Sequence, residues 1–329
     1  MKWRTVKYAL AFLLLLVPGL LAAQNIFRFS APPGGIYANV SYEQTALVTV
    51  EVTVEHRGDA VPDWFIGGTA GGGSYTNRQV SRTLPDATIN YQLYPTTPNG
   101  STDVLASPDF GGFGANNVIT SNAFDTATAV DVSRFETFFV YYEVPADQFS
   151  ASGEYTDTVT LELYTYTGVL GSSATYDRVD TATLTVTARM ARLIDLYAVQ
   201  EPGIRTMDLT VPVTDRLLAT VHERSNADTG YEVSITSSNL AAAGSGTTPF
   251  FAQASGPGVL DYSLTYGGDS IGDWESGTAL VTNSELITDT TGDPGANWLT
   301  RDLRISYSGS PNLPAGDYED RLIITITAK

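Results

Sequence analysis

The chain has 329 residues, 42 of them threonine and 30 glycine, with no cysteine and only 2 histidines. This excludes disulfide frameworks, cysteine-ligated metals, thiol chemistry and a multi-histidine metal site within one copy. A net charge of −18, with lysine only at Lys2, Lys7 and Lys329, argues against nucleic acid and anionic membrane as partners, while 43% hydrophobic and 11% aromatic residues suffice for a sizeable core.

The first 23 residues read as a secretory signal peptide. Lys2, Arg4 and Lys7 form a basic start, Tyr8 to Ala23 an apolar run broken by Pro18-Gly19, and Ala22-Ala23 a small-residue cleavage site. A retained anchor is the alternative, but the interrupted run is short for a membrane span. Cleavage near Gln24 leaves 15 basic against 36 acidic residues, a net charge of −21.

From there the chain reads as strands almost throughout. Val48, Val50, Val52 and Val54 alternate with Thr49, Glu51, Thr53 and Glu55, the period of a half-buried strand. Ala182, Leu184, Val186 and Ala188 alternate with threonines in the same way. Further alternating runs are Leu209-Val211-Val213, Tyr231-Val233-Ile235 and Leu322-Ile324-Ile326-Ala328. Glycine-rich turn clusters separate them, among them Gly67-Gly68, Gly71-Gly72-Gly73, Pro98-Asn99-Gly100 and Gly256-Pro257-Gly258. No segment holds a helical period over three turns. Short strands with turns at intervals predict an all-β chain of antiparallel sandwiches.

An internal repeat organises these strands. Residues 153–163 read GEYTDTVTLEL and residues 316–326 read GDYEDRLIITI. Gly153, Tyr155 and Asp157 thus correspond to Gly316, Tyr318 and Asp320. Apolar residues follow at matching positions: Val159, Leu161 and Leu163, then Leu322, Ile324 and Ile326. A glycine turn feeds a strand whose first tyrosine packs at the core edge and bonds backbone, as in a tyrosine corner. These motif residues are read as a folding device. A second echo, Asn90-Tyr91-Gln92-Leu93-Tyr94 against Asp261-Tyr262-Ser263-Leu264-Thr265, precedes each motif. The expected organisation is a signal peptide at 1–23, a first domain at 24–190 and a related second domain at 191–329.

PAGDYEDRLIITITAK at 314–329 resembles the terminal motif of spore coat U-type domains, the pilin domains of archaic chaperone–usher pili. ATVHERSNADTGYEVSITSSNL at 219–240 is similar to a strand–turn–strand near the start of such domains. The resemblance covers 191–329 well, and before that mainly GEYTDTVTLELY at 153–164. It implies immunoglobulin-like sandwiches lacking a last strand. A periplasmic chaperone, and then a neighbouring pilin at the usher, supplies that strand by β-strand addition. The first domain is expected to complete itself with a strand at 181–190, whereas the second stops after its Gly-x-Tyr strand. A complete domain followed by an incomplete one is the plan of a pilus tip subunit; the alternative is that both domains are closed in cis by strands the pattern does not mark.

Candidate chemistry is sparse. His56 continues the parity of the valine strand and reads as a strand-end residue, and His222 reads as exposed. No Gly-x-Ser-x-Gly elbow stands in a strand–turn–helix context, so no catalytic or cofactor-binding residue is assigned. Asp289 to Asn297 gathers oxygen ligands on a glycine-rich loop, but without EF-hand spacing it is read as a turn and no metal site is assigned. Trp64, Phe65 and Ile66 beside Gly67-Gly68, with Phe110 and Phe113 in a second glycine-rich stretch, read either as buried loop anchors or as exposed apolar fingers or sugar-stacking platforms at one end of the first domain. The expected protein is an exported, non-enzymatic, adhesin-like subunit. The alternative is a free secreted or periplasmic sandwich binding glycan or protein.

Overall fold

The computed structural model describes residues 25–84, 86–98, 103–284 and 298–329. The N-terminal basic-apolar segment and the Asp289–Asn297 loop lie outside them. The first part of the chain forms β1 (Ile26–Phe29), β2 (Ile36–Val40), β3 (Ala46–Arg57), β4 (Trp64–Gly68), β5 (Gly73–Ser74), β6 (Asn77–Thr83), β7 (Asp86–Tyr94), β8 (Arg134–Val144), β9 (Gly153–Thr167) and β10 (Thr175–Met190). They follow the order β1-β3-β8-β7-β6-β9-β10-β2, with β4 also on β9 and β5 on β6. Every ladder is antiparallel except that of β10 with β2.

This path folds over a single core. Val52 and Val54 of β3 meet Val140 and Tyr142 of β8 and Val159, Leu161 and Leu163 of β9, all buried. Their period-two spacing turns one face of each strand inward and leaves threonine and glutamate outside. β10 closes this core. It pairs with β9 from Thr175↔Thr167 to Met190↔Gly153 and buries Ala182, Leu184, Val186, Ala188 and Met190.

The second part forms β11 (Ile194–Gln200), β12 (Val213–Ser225), β13 (Tyr231–Ser237), β14 (Phe250–Gln253), β15 (Val259–Asp261), β16 (Ser263–Tyr266), β17 (Asp269–Ser270), β18 (Trp274–Glu275), β19 (Thr278–Ser284), β20 (Leu299–Tyr307), β21 (Tyr318–Glu319) and β22 (Leu322–Ala328). One sheet runs β11-β12-β20-β16-β17 and a second β18-β19-β13-β22, with a small β15-β14-β21 sheet beside them. Val221, Val233, Ile235, Leu264, Leu303 and Ile305 form its separate core. The chain is therefore all-β, built as two immunoglobulin-like antiparallel sandwiches.

Two expectations need correction. Leu209 and Val211 lie in turns, and only Val213 begins a strand. Asp208 accepts from both the backbone N–H and the hydroxyl of Thr210, a local bond that competes with a ladder. One helical turn, α1 (Ser238–Ala243), also escapes the strand reading. Its N-cap Ser237 accepts from the Leu240 N–H, and Gly244 ends it at φ 65°.

Asn226 and Asp228 bind both the first part of the chain and the segment that follows β10. The Asn226 side chain accepts from Leu193 N–H at 2.6 Å and donates to the Ala191 carbonyl at 2.9 Å, while its own carbonyl accepts from Ser152 N–H at 2.6 Å. Asp228 stands 3.4 Å from Arg82 and 3.9 Å from Arg192.

Candidate functional site

The repeated motif has the same geometry in both copies. Gly153 and Gly316 have φ of 127° and 151°, and a Cβ on either would meet a side-chain nitrogen, of Arg82 at 2.5 Å or Gln253 at 2.6 Å. Glycine is required at both. The Tyr155 hydroxyl donates to the Ala151 carbonyl at 2.6 Å, and that of Tyr318 to the Pro314 carbonyl at 2.9 Å, each four residues back.

The aspartates clamp strand to neighbouring turn. Asp157 accepts from the Tyr91 hydroxyl at 2.5 Å, the Gly72 N–H at 2.8 Å and the Thr158 N–H at 2.7 Å. Asp320 accepts from the Tyr262 hydroxyl at 2.5 Å, the Asn239 N–H at 3.0 Å, the Arg321 N–H at 2.7 Å and the Ser237 hydroxyl at 2.6 Å. Burial, reinforced by the carboxylate each one meets, pushes the Tyr91 and Tyr262 hydroxyls well above the ordinary tyrosine range. β22 is thus the counterpart of β9.

The two strands differ in what lies on their far side. β9 carries β10 along its whole length, and Val159, Leu161 and Leu163 are fully buried. β22 pairs with β13, from Leu322↔Ser237 to Ala328↔Tyr231, and among the described residues has no ladder partner on its other edge. Leu322, Ile324 and Ile326 face the second core but are only half-buried. β11, the edge strand of the facing sheet, lies alongside without a ladder to it. Among the described residues the place filled by β10 in the first core is an open groove here, floored by alternate aliphatic residues and edged by backbone groups without a ladder partner. Isolated N–H and C=O groups on such an edge bind an extended chain, and the apolar floor sets its register.

The expected aromatic end of the first sandwich is not an exposed loop. Trp64, Phe65 and Ile66 form β4, paired with β9, and are at most 1% exposed. Trp64 packs in the core against Phe27, Phe124 and Phe138. Phe65 points to the opposite face, where it stacks on Tyr164 at 4.9 Å and is covered by Phe113, Tyr166 and Tyr176. Phe113 is half-buried in that cover, and Phe110 half-buried against Tyr75 at 5.2 Å. The physical reason is that the segment carrying Phe113 folds back over β4, so that β4 is buried on both faces.

The histidines lie in separate sandwiches. His56 is buried between Phe27 and Phe124, with Nε2 2.5 Å from the Asp59 carbonyl. His222 is half-buried and stacks on Tyr197 at 4.4 Å. Ser237 and Asn239, which complete the Asp320 clamp, carry no sequence signal beyond the cap of α1.

No family model matches the chain, and no curated protein matches it. Among solved structures it is similar to a chain of the CsuC–CsuE chaperone–tip adhesion subunit pre-assembly complex from the archaic chaperone–usher Csu pili of Acinetobacter baumannii, at 10% identity and a TM-score of 0.36, covering 91% of this chain and 99% of that one. It is likewise similar to CfaE, the adhesive subunit of the CFA/I fimbria of enterotoxigenic Escherichia coli, at 11% identity and a TM-score of 0.37, covering 91% and 94%. The Escherichia coli Hda pilus minor tip subunit HdaB matches at 14% identity and a TM-score of 0.23, over 40% of this chain and 79% of its own. At these identities and TM-scores the likeness carries no statement about what this chain does.

Proposed function

We propose that this chain is an exported, non-enzymatic, adhesin-like subunit of a surface fibre, and that its second sandwich is completed by a strand from another chain. The observation that carries this reading is the contrast between β9, closed by β10, and β22, open on the same edge among the described residues. An uncovered strand of Leu322-Ile323-Ile324-Thr325-Ile326, with no lysine, proline or bulge to blunt it, is an aggregation hazard that a bound strand removes. The partner in transit is a periplasmic chaperone and, after the usher, a pilin neighbour. The basic-apolar segment at 1–23 is consistent with export by that route. The units at 24–190 and 191–329 then divide the work: the first makes surface contact and the second joins the fibre.

The test adds a peptide of residues 179–190, which carries the buried face of β10, to the full mature chain. It should raise the melting temperature of the second sandwich and protect the amides of 322–328 from hydrogen exchange. A control peptide with aspartate at the positions of Leu184 and Val186 should do neither. Unchanged exchange and melting with the first peptide would favour a free-standing secreted sandwich instead.

A further inference from the structure

The outer face of the first sandwich carries a second pattern, independent of the open edge. Side chains facing away from the core on β8 are Phe135, Thr137, Phe139, Tyr141 and Glu143. Phe135 is 55% and Phe139 45% exposed. The neighbouring strands extend this face. Glu51 of β3 stands opposite Phe139, and Thr49 opposite Tyr141. On that same side Thr53 of β3 and Thr137 bond hydroxyl to hydroxyl at 3.0 Å, and on the other side Tyr94 of β7 stands opposite Tyr141. Aromatic rings therefore alternate with carboxylates and hydroxyls across three adjacent strands. From Phe135 to Tyr141 the row spans roughly 20 Å, at about 3.4 Å per strand residue.

Each component matches one need of a carbohydrate. The apolar C–H face of a sugar ring stacks on an aromatic ring, whose large rigid area is held at low entropy cost. Sugar hydroxyls donate to carboxylates in charge-assisted bonds, stronger than neutral ones. The length of the row suits a chain of several sugars rather than a monosaccharide. Charge narrows the class further. Glu51 and Glu143 flank the rings on a chain of net charge −18. A sulfated or uronate polymer is repelled, and an amino sugar gains ion pairing and cation–π attraction. The same carboxylates oppose self-pairing, because two copies docked through this face bring like charges together.

We propose that the outer face of β3, β8 and β7 binds a polysaccharide strand of neutral or amino-bearing sugars, with Phe135, Phe139, Tyr141 and Tyr94 as stacking platforms and Glu51 and Glu143 as acceptors. The probes are a glucan hexasaccharide, a chitosan hexasaccharide and heparin, titrated onto the full mature chain with and without the strand peptide described above. Binding of glucan or chitosan, with at least tenfold weaker binding of heparin and no change on adding the strand peptide, is the expected result. A Phe139→Ala, Tyr141→Ala double variant should lose at least tenfold in affinity. Phe135→Ser, at the most exposed ring, should weaken binding while leaving the melting temperature within a degree or two. No binding of either hexasaccharide, equal binding of heparin, or wild-type affinity in both variants would overturn the assignment. So would a Phe135→Ser variant that loses affinity only by unfolding. Failure of the strand peptide alone touches the open-edge reading and leaves this one standing.

Discussion

The Tyr262 hydroxyl donates to Asp320 at 2.5 Å, and the Tyr91 hydroxyl donates to Asp157 at the same distance in the other sandwich. In each case the aspartate also holds the N–H of the residue after it and an N–H of a neighbouring turn. The pair is therefore a fastener between the β9 or β22 motif and the rest of its sandwich. Tyr262→Phe and Tyr91→Phe each remove one bond to a charged acceptor and should cost about 1.5–3 kcal/mol. Asp320→Ala leaves the Tyr262 and Ser237 hydroxyls without their acceptor, and should cost more than Tyr262→Phe. Urea unfolding followed by near-ultraviolet signal measures all three, and the order of the losses is the check.

The same two hydroxyls predict alkaline sensitivity. Burial, then the carboxylate partner, raises both above the ordinary range in the folded chain. In the unfolded chain a tyrosine ionises near about 10. Their contribution is fully present below that value and is lost as pH rises above it, because the unfolded chain releases protons that the folded chain keeps. Stability measured between pH 9 and pH 11 should fall, and the fall should be shallower in the Tyr91→Phe, Tyr262→Phe double variant. An unchanged slope would show that other groups govern alkaline unfolding.

Trp64 and Phe65 separate a packing role from a contact role. Both are essentially unexposed in β4, on opposite faces of the strand. Trp64→Ala and Phe65→Ala should each cost about 3–5 kcal/mol, as emptying a core aromatic site does. Phe113→Ala, at a half-buried ring, should cost less. Thermal melts of the three variants test this ranking, and small losses at Trp64 and Phe65 would restore the exposed-loop expectation.

These residues also show what was legible in the sequence. β3, β10 and β22 were readable because one face of each meets a core and the other meets solvent, which writes a period of two. The Gly-x-Tyr-x-Asp repeat was readable because both copies need the same glycine conformation and the same tyrosine anchor. The Tyr91–Asp157 and Tyr262–Asp320 pairings were not, since the partners lie 66 and 58 residues apart and no local pattern couples them. β4 misled because burial on both faces erases the alternation, so Trp64-Phe65-Ile66 looks like an apolar loop. α1 is too short to show a helical period, and only its Ser237 cap and Gly244 stop mark it. The aromatic row of β8 escaped because its outward rings alternate with an inward set that is also apolar, including Phe138, Val140 and Tyr142.

Leu161 and Ile324 occupy matching positions, each six residues after the motif tyrosine, yet one lies under a filled place and the other under an open one. Leu161 is fully buried beneath β10, so Leu161→Ala should cost about 2–5 kcal/mol in the mature chain. Ile324 is half-buried, so part of its surface already meets water, and Ile324→Ala should cost distinctly less in the same chain. A bound strand changes the comparison. It covers Ile324 as β10 covers Leu161, so the truncation then removes contacts to the strand as well, and the loss appears as weaker strand binding. The measurement is a melt of both variants with and without the 179–190 peptide. The two costs should differ without the peptide, and the peptide's stabilising effect should shrink in Ile324→Ala but not in Leu161→Ala. Equal costs in the free chain would mean that Ile324 is already as fully packed as its counterpart, and that the groove beside β22 is closed.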